Sequence, residues 1–335
     1  MSWAEEYATI KESYLKYIKA WETREVDVLD ELIIPSLYVN YSIFEPIYSR
    51  AVLKERLKAI AIEPTYSRFS TQAYVCLIEG NKAQQSAVLM GYYGVDGAEY
   101  KHYSFGGYLV NSWEKFEDGW KMTSMKFDLA VDDGSVGMRN EKNEYVRVKG
   151  AGDVAIVANW TPIQEDLGVY DGCRLPMICT NFDAPWNVIK NPENQPSDEE
   201  QIQELMNRYT FMIDKNGYEL LPDLFTPDCS VSMSQLGEMT YTTAVKMLKQ
   251  MTGIATRLLH MAQIVKLDID GDFAKAIAYR RAADEMWPFE YNKETEKTDF
   301  VAATYTLMFR RDHGKWRISH MAYYPGTFIA GTCEE

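Results

Sequence analysis

The stretch SDEEQIQELMNRYTFMIDKNGYELLPDLFTPDCSVSM, residues 197–233, decides the fold that the sequence predicts. Ser197 and Glu200 have the spacing of a capping box, which marks the start of a helix. Apolar residues then recur at spacings of three and four, the pattern of one helix face, at Ile202, Leu205, Tyr209 and Met212. Asn216-Gly217 predicts the end of this helix. A shorter helical piece, a Pro-Asp turn and a strand are expected to follow.

The same plan occurs earlier in the chain. A shift of 192 residues aligns Tyr17 with Tyr209 and Glu22 with Asp214, and it also aligns Pro35 with Pro227. This self-similarity predicts a tandem duplication of a domain-sized unit of roughly 130 residues. We therefore expect domains at 1–131 and 197–335, joined by a long connecting segment at 132–196.

Each unit is predicted to contain two helices, a strand, a third helix and four long antiparallel strands. The hairpin turns fall at residues 79–81, 117–118, 270–272 and 312–314. This order predicts an α+β fold with helices on one face of a curved sheet. The connecting segment has aromatic anchors, Trp160, Phe182 and Trp186. These anchors favour an ordered strap over an active-site lid or a plain linker.

Composition limits the function classes. Of the 335 residues, 46% are hydrophobic and 13% aromatic, which is enough for two packed cores. The net charge of −14 argues against nucleic-acid and anionic-membrane partners. The five scattered cysteines include no C-x-x-C pair, so neither a disulfide framework nor a metal site is expected. With no signal peptide and no run of 18 apolar residues evident, a cytoplasmic protein is the simplest expectation.

Both halves resemble the cone-shaped NTF2-like superfamily, and more narrowly its SnoaL-like branch. Residues 35–44 and 118–128 resemble scytalone dehydratases. The second half is more similar to the bile-acid 7α-dehydratases, through Tyr209-x4-Asp214, residues 224–228, His260-Met261 and residues 271–274. The resemblance implies two tandem NTF2-like cone folds that pair within the chain as a pseudo-dimer or form a homo-oligomer.

The resemblance also implies a catalytic site in the second half, at Asp214, His260 and Tyr209. The chemistry of these side chains agrees, because a neutral imidazole can take a proton from a carbon next to a carbonyl. A carboxylate on the other ring nitrogen orients that imidazole, and a tyrosine hydroxyl polarises the carbonyl or protonates a leaving hydroxyl. Tyr305, His320 and Asp284 are expected near this pocket as substrate-binding residues.

Structural roles compete with these assignments. Tyr209 also continues the apolar helix stripe, so a core tyrosine explains it equally well. Asp214 lies near the helix end, where its charge opposes the helix dipole, which favours a functional role. His320 shares strand parity with Trp316 and Ile318, which predicts an inward histidine that either is satisfied in the core or lines the pocket.

The first half departs from the family pattern. It keeps Tyr17, Glu22 and Tyr41, which are expected to bind ligand, but residues 66–73 have no histidine at the family position. A degenerate first site is therefore predicted. The expected function is a lyase (dehydratase), isomerase or cyclase that acts without a cofactor on a small hydrophobic hydroxy-carbonyl compound. The alternatives are a non-catalytic small-molecule binder and an assembly subunit, the role of this fold in ring-hydroxylating dioxygenases.

Overall fold

In the computed structural model, the chain divides into two compact units, Met1–Gln195 and Pro196–Glu335. The structure describes residues 2–41, 46–58, 65–95, 101–133, 138–139, 145–146, 178–233, 236–252, 258–284, 291–292, 297–298 and 301–325.

The first unit begins with three helices and a strand and continues with four long strands. The helices are α1 (Trp3–Thr23), α2 (Leu29–Leu32) and α3 (Arg50–Lys58), with a 3-10 turn at Val26–Val28. The strands are β1 (Ile33–Tyr41), β2 (Tyr66–Glu79), β3 (Lys82–Val95), β4 (Lys101–Phe116) and β5 (Gly119–Asp133). They form one sheet in the order β1-β5-β4-β3-β2, in which only β1 and β5 run parallel. The two-residue strands β6 (Met138–Arg139) and β7 (Tyr145–Val146) and helix α4 (Pro185–Val188) follow.

The second unit repeats this arrangement. Helix α5 (Asp198–Asp214) and a 3-10 helix at Tyr218–Asp223 lead into β8 (Phe225–Met233), β9 (Gly237–Thr240) and α6 (Tyr241–Thr252). The long strands are β10 (Leu258–Asp270), β11 (Phe273–Asp284), β14 (Val301–Asp312) and β15 (Lys315–Pro325), and a small hairpin consists of β12 (Tyr291–Asn292) and β13 (Lys297–Thr298). The sheet order is β10-β11-β14-β15-β8-β9.

Each of the five strands of the first sheet has an equivalent in the second sheet, which also has β9 at one edge. Read from β8, the second sheet has the order β8-β15-β14-β11-β10, which matches β1-β5-β4-β3-β2 of the first. In the first sheet β1 runs parallel to β5, and in the second β8 runs parallel to β15. The other neighbouring strands are antiparallel. The α+β prediction is therefore confirmed, and the chain carries two tandem units whose sheets share one strand order.

Local sequence signals explain the bounds of α5. The Ser197 side chain accepts from the Glu200 amide, and the Glu200 carboxylate accepts from the Ser197 amide at 2.7 Å, as the capping box predicts. At the other end Asn216 adopts φ of 56°, and the Gly217 amide donates to the Met212 carbonyl at 2.6 Å. This left-handed residue closes the helix just after Asp214.

Residues 178–195 lie against the sheet of the first unit. The Asp128 carboxylate accepts from the amides of Ile178 and Cys179 at 2.6 and 2.7 Å. At the other end of this segment, the Asn194 side chain accepts from the backbone amide of Ile78, in the edge strand β2, at 2.9 Å. Trp186 packs on a small cluster of Val75, Leu77 and Ile189, whereas Phe182 is exposed. The predicted anchor Trp160 lies outside the described residues.

We expect Asp128→Asn to release the start of this segment. The amide side chain keeps one acceptor and turns an N–H group toward a backbone donor, which leaves a buried donor unsatisfied at a cost of about 1–3 kcal/mol. Limited proteolysis followed by mass spectrometry should show faster cleavage near residue 178. Asp118→Asn is the control, because the Asp118 side chain is 72% exposed in a turn. Equal cleavage rates in both variants would show that the Asp128 contacts do not hold the segment.

Membrane-spanning helices and metal clusters are both absent from the described residues. Neither unit has a described helix with the length and apolarity needed to cross a membrane. Among the same residues, no group of three or more His, Cys, Asp or Glu side chains could hold a metal ion.

Candidate active site

The structure brings Asp214 and His260 together in the second unit. The Asp214 carboxylate accepts from the His260 backbone amide at 2.6 Å, and its other oxygen bonds the ring Nδ1 of the same residue. Both residues are buried, and the Asp214 side chain has no exposed surface. Asp214 ends α5 and His260 lies near the start of β10, so the helix stop at Asn216 sets the position of the carboxylate.

This double contact fixes the orientation of the imidazole. Because the carboxylate accepts at Nδ1, the neutral ring carries its proton there and the lone pair lies on Nε2. The backbone bond holds the carboxylate in place, and it also compensates Asp214 for its unfavourable position at the negative end of the helix dipole. The pair has the arrangement of a general base with an orienting carboxylate.

Two tyrosines belong to the interior of the same unit. Tyr209 of α5 packs edge to face on Tyr305 of β14, with 6.2 Å between ring centroids. Both are buried. Burial, and next the neighbouring Tyr305, raise the pKa of the Tyr209 hydroxyl well above its ordinary value of 10.0. Tyr209 therefore stays protonated at neutral pH and can act as a donor, while its ring belongs to the apolar helix stripe.

Strand register adds two inward residues, Arg280 and Tyr323, that sequence reasoning missed. Ala278 pairs with Tyr305, which pairs with Tyr323, so these three share one face of the sheet. Arg280 follows Ala278 on the same face of β11. The signal that could have found Arg280 is the alternation of Ala274, Ala276 and Ala278, which puts every second residue of this strand inward.

The inward orientation expected for His320 is wrong. A β-bulge interrupts β15, because Ile318 pairs with Phe309 and His320 pairs with Met308, which leaves Ser319 as an extra residue. Met308 is an exposed residue of the outer face, so His320 faces outward with it. There its Nδ1 bonds the Ser230 hydroxyl at 2.7 Å. The substrate-binding role expected for His320 stays a prediction.

Asp284 ends β11 and pairs with Leu258 on β10. Its backbone position is thus close to the start of the strand that carries His260. The orientation of its side chain lies outside what the structure describes, and its predicted role in substrate binding stays a prediction.

The first unit has an acidic residue, Glu22, at the position equivalent to Asp214, but no histidine at the position equivalent to His260. The Glu22 carboxylate accepts from the Phe69 backbone amide at 3.1 Å, as Asp214 does from His260. Counted from their hairpin turns, Phe69 and His260 occupy the same register position, opposite Gly91 and Ala282. Phe69 therefore occupies the position in the first unit that His260 occupies in the second.

The interior of the first unit is filled by apolar side chains. Strand pairing identifies the residues of the first sheet that are equivalent to Arg280, Tyr305 and Tyr323 of the second. They are Leu89, Leu109 and Phe127, respectively. All three are fully buried in the core. A Cβ placed on Gly91 would lie 2.1 Å from the Phe105 ring, so even a methyl group finds no space there.

Tyr17, Tyr41 and Glu22 belong to this core. The hydroxyls of Tyr17 and Tyr41 share a hydrogen bond, and both residues have no exposed surface. Glu22 is occupied by the Phe69 amide and by Lys19, whose ammonium donates to it at 2.7 Å. All three side chains thus have partners within the unit, and the substrate-binding role expected for them stays a prediction.

Each unit has an α+β fold, and the second unit has the buried Asp214–His260 pair where the first has Glu22 and Phe69. Residues 195–322, which make up most of the second unit, match the family model described as the SnoaL-like domain. No curated protein matches the chain.

Solved structures with similar folds include three bacterial proteins of low sequence identity. The Kfla4162 protein from Kribbella flavida is 16% identical, with a TM-score of 0.36, over 39% of this chain and 94% of its own. The hexachlorocyclohexane dehydrochlorinase LinA-type3 from Novosphingobium barchaimii LL02 is 18% identical, with a TM-score of 0.32, over 40% and 90%. An NTF2-like protein with a cystatin-like fold from Novosphingobium aromaticivorans is 18% identical, with a TM-score of 0.33, over 41% and 84%.

Proposed function

We propose that the second unit is a lyase or isomerase that removes a proton from the carbon next to a carbonyl of a small hydrophobic hydroxy-carbonyl compound. Asp214 and His260 are the working pair. The observation that carries this proposal is the double hydrogen bond from one buried carboxylate to the backbone and ring of His260. A core histidine needs one partner for its ring, and a carboxylate that also holds the backbone positions that ring more rigidly.

The proposed reaction begins with proton transfer from carbon to Nε2 of His260. The electron pair of the broken C–H bond moves toward the carbonyl, and Asp214 stabilises the imidazolium that forms. In an elimination, that electron pair then forms a carbon–carbon double bond as the β-hydroxyl leaves. Tyr209 or Tyr305 donates the proton that converts the leaving hydroxyl to water. In an isomerisation, His260 instead returns the proton to another carbon.

The first unit has a structural role in this proposal. Its equivalent position to His260 is Phe69, and its interior is closed by Leu89, Leu109 and Phe127. Neither a general base nor a cavity lined by polar groups is found at those positions. We therefore assign chemistry to the second unit alone.

A deuterium-exchange screen tests the proposal while the product is still unidentified. Hydroxy-ketosteroids and hydroxylated aromatic ketones are incubated with the full chain in D2O, and mass spectrometry detects deuterium at the α-carbon or loss of water. We expect Asp214→Asn to lower the rate by about 10²-fold, because the ring loses its orienting carboxylate. Tyr41→Phe, in the core of the first unit, should retain the rate.

Two outcomes contradict the proposal. A rate that Tyr41→Phe abolishes and Asp214→Asn preserves would place the chemistry in the first unit. Compounds that bind to the protein yet show neither exchange nor water loss would favour the alternative function, a non-catalytic small-molecule binder.

A further inference from the structure

Arg280 is a cation that reaches into the interior of the second unit. It follows three inward alanines on β11, Ala274, Ala276 and Ala278, so its side chain extends over the same face as theirs. The residue as a whole is half-buried, but its Nε atom is fully buried. A guanidinium stays charged even at this depth, because its pKa lies far above neutral pH.

The groups around Arg280 are tyrosines. One guanidinium N–H donates to the Tyr323 hydroxyl at 3.5 Å, and the charge lies 5.2 Å from the centre of the Tyr323 ring. Tyr305 is the diagonal neighbour of Arg280 on the same face of the sheet. The buried Nε atom has no hydrogen-bond partner. Among the carboxylates whose side chains the structure describes, none lies within ion-pair distance of Arg280; the side chains of Asp284 and Glu285 are not among them.

A buried cation whose Nε atom has no hydrogen-bond partner is costly for a folded protein. Burying a charge removes its hydration, and neutral phenol groups replace only part of it. Arginine donates five N–H groups in a planar fork that matches carboxylates and other anionic oxygens. The arrangement is therefore better explained by a ligand than by the fold.

Strand register sets Arg280 close to His260. His260 pairs directly with Ala282 of β11, and Arg280 is the next inward residue along that strand. Such diagonal neighbours on one face of a sheet are about 7–8 Å apart at the backbone, within reach of long side chains. A small ligand in contact with the His260 ring therefore also lies within reach of the guanidinium.

We propose that Arg280 binds an anionic oxygen of the ligand in the second unit. This proposal rests on the proposed function, since the ligand is the one whose proton His260 removes. The anionic oxygen is either the enolate oxygen that forms after proton removal or a carboxylate that the ligand already carries. Tyr323 is positioned to donate to the same oxygen. The first unit has Leu89 in place of Arg280, which agrees with its apolar interior.

Two aromatic probes distinguish these sources. 4-Nitrophenol presents a phenolate, which resembles an enolate, and 4-nitrobenzoate presents a carboxylate. Both are titrated into the full chain by calorimetry, and the coloured phenolate is also followed by absorbance. The wild-type protein should bind at least one of them, and Arg280→Met should bind it about 10–100-fold more weakly, the usual range for a lost hydrogen bond to a charged group. Arg281→Met is the matched control, since Arg281 is the exposed neighbour on the opposite face.

A stability measurement separates a ligand-binding arginine from a structural one. If Arg280 is retained for a ligand, Arg280→Met should keep or raise the melting temperature of the ligand-free protein, because a buried charge with an unpartnered Nε atom is removed. A structural arginine would instead lower it. The proposal is overturned if neither probe binds the wild type, if Arg280→Met binds as well as Arg281→Met, or if Arg280→Met melts earlier than Arg281→Met.

Failure of this proposal is distinguishable from failure of the proposed function. The probe titrations measure binding and need no turnover, so they can succeed when the deuterium-exchange screen is negative. Conversely, α-proton exchange that depends on Asp214 can persist when Arg280→Met binds both probes normally. In that case the base would be correctly assigned and the anion-binding residue would not.

Discussion

Replacing His260 with alanine is expected to lower turnover of a hydroxy-carbonyl substrate by about 10²–10⁴-fold, the contribution of a positioned general base. The ring contacts the Asp214 carboxylate, and the backbone amide of residue 260 keeps its own bond to that carboxylate in the variant. The strand and the helix end should therefore stay in place while the base is lost. The expected result is a lower kcat with little change in KM, measured on the substrate that the exchange screen identifies.

His313→Ala is the matched control for this experiment. His313 lies in the turn between β14 and β15, and its side chain is 91% exposed. Removing its imidazole should leave kcat unchanged. Circular dichroism and thermal unfolding should show that both variants are folded. If His260→Ala retains the wild-type kcat with a folded second unit, His260 is not the base and the assignment of the site is wrong.

Trp21→Ala is expected to destabilise the first unit by about 3–5 kcal/mol, the usual cost of deleting a large buried aromatic side chain. Trp21 stacks on Tyr41 at 5.4 Å and packs edge to face on Phe69 and Phe127 at 5.7 and 5.6 Å. It is thus the centre of the aromatic cluster that fills this interior. The loss includes the transfer free energy of the indole and the cavity that it leaves.

Because the chain has two units, the loss should be measured unit by unit. Hydrogen exchange of peptides from β2 to β5 in increasing urea reports the free energy of unfolding of the first unit. Leu15→Ala is the control, since Leu15 lies on the same helix and is 46% exposed. A Trp21→Ala protein whose first unit unfolds at the wild-type urea concentration would show that this interior is not a tightly packed core.

These two experiments probe opposite halves of a duplicated fold. Glu22 and Asp214 occupy equivalent helix ends and accept from equivalent strand amides. The residue that provides the amide is Phe69 in one unit and His260 in the other. The two units thus differ in the side chains that face the interior. The hydrogen bond from the strand amide to the carboxylate at the helix end is the same in both.

The sequence by itself determined the repeat, the α+β order of the elements and the bounds of α5. These features depend on local signals, namely the Ser197 capping box, the apolar stripe and the left-handed Asn216, and each of these acts within a few residues of the chain. The Asp214–His260 contact was also predictable, though only through family resemblance, since 46 residues separate the two side chains.

Tertiary structure alone decided which residues face the interior. Strand parity predicted an inward His320, but one extra residue at the bulge reverses the face of everything that follows it. The alternation of residues along a strand also does not indicate how deeply a side chain is buried. A half-buried Arg280 with tyrosine neighbours therefore could not be distinguished from a solvated arginine. The same holds for Tyr17 and Tyr41, whose hydroxyls bond to each other in a filled core. Facing residues come from strands distant in sequence, and only their packing determines whether a polar group meets a ligand or another side chain.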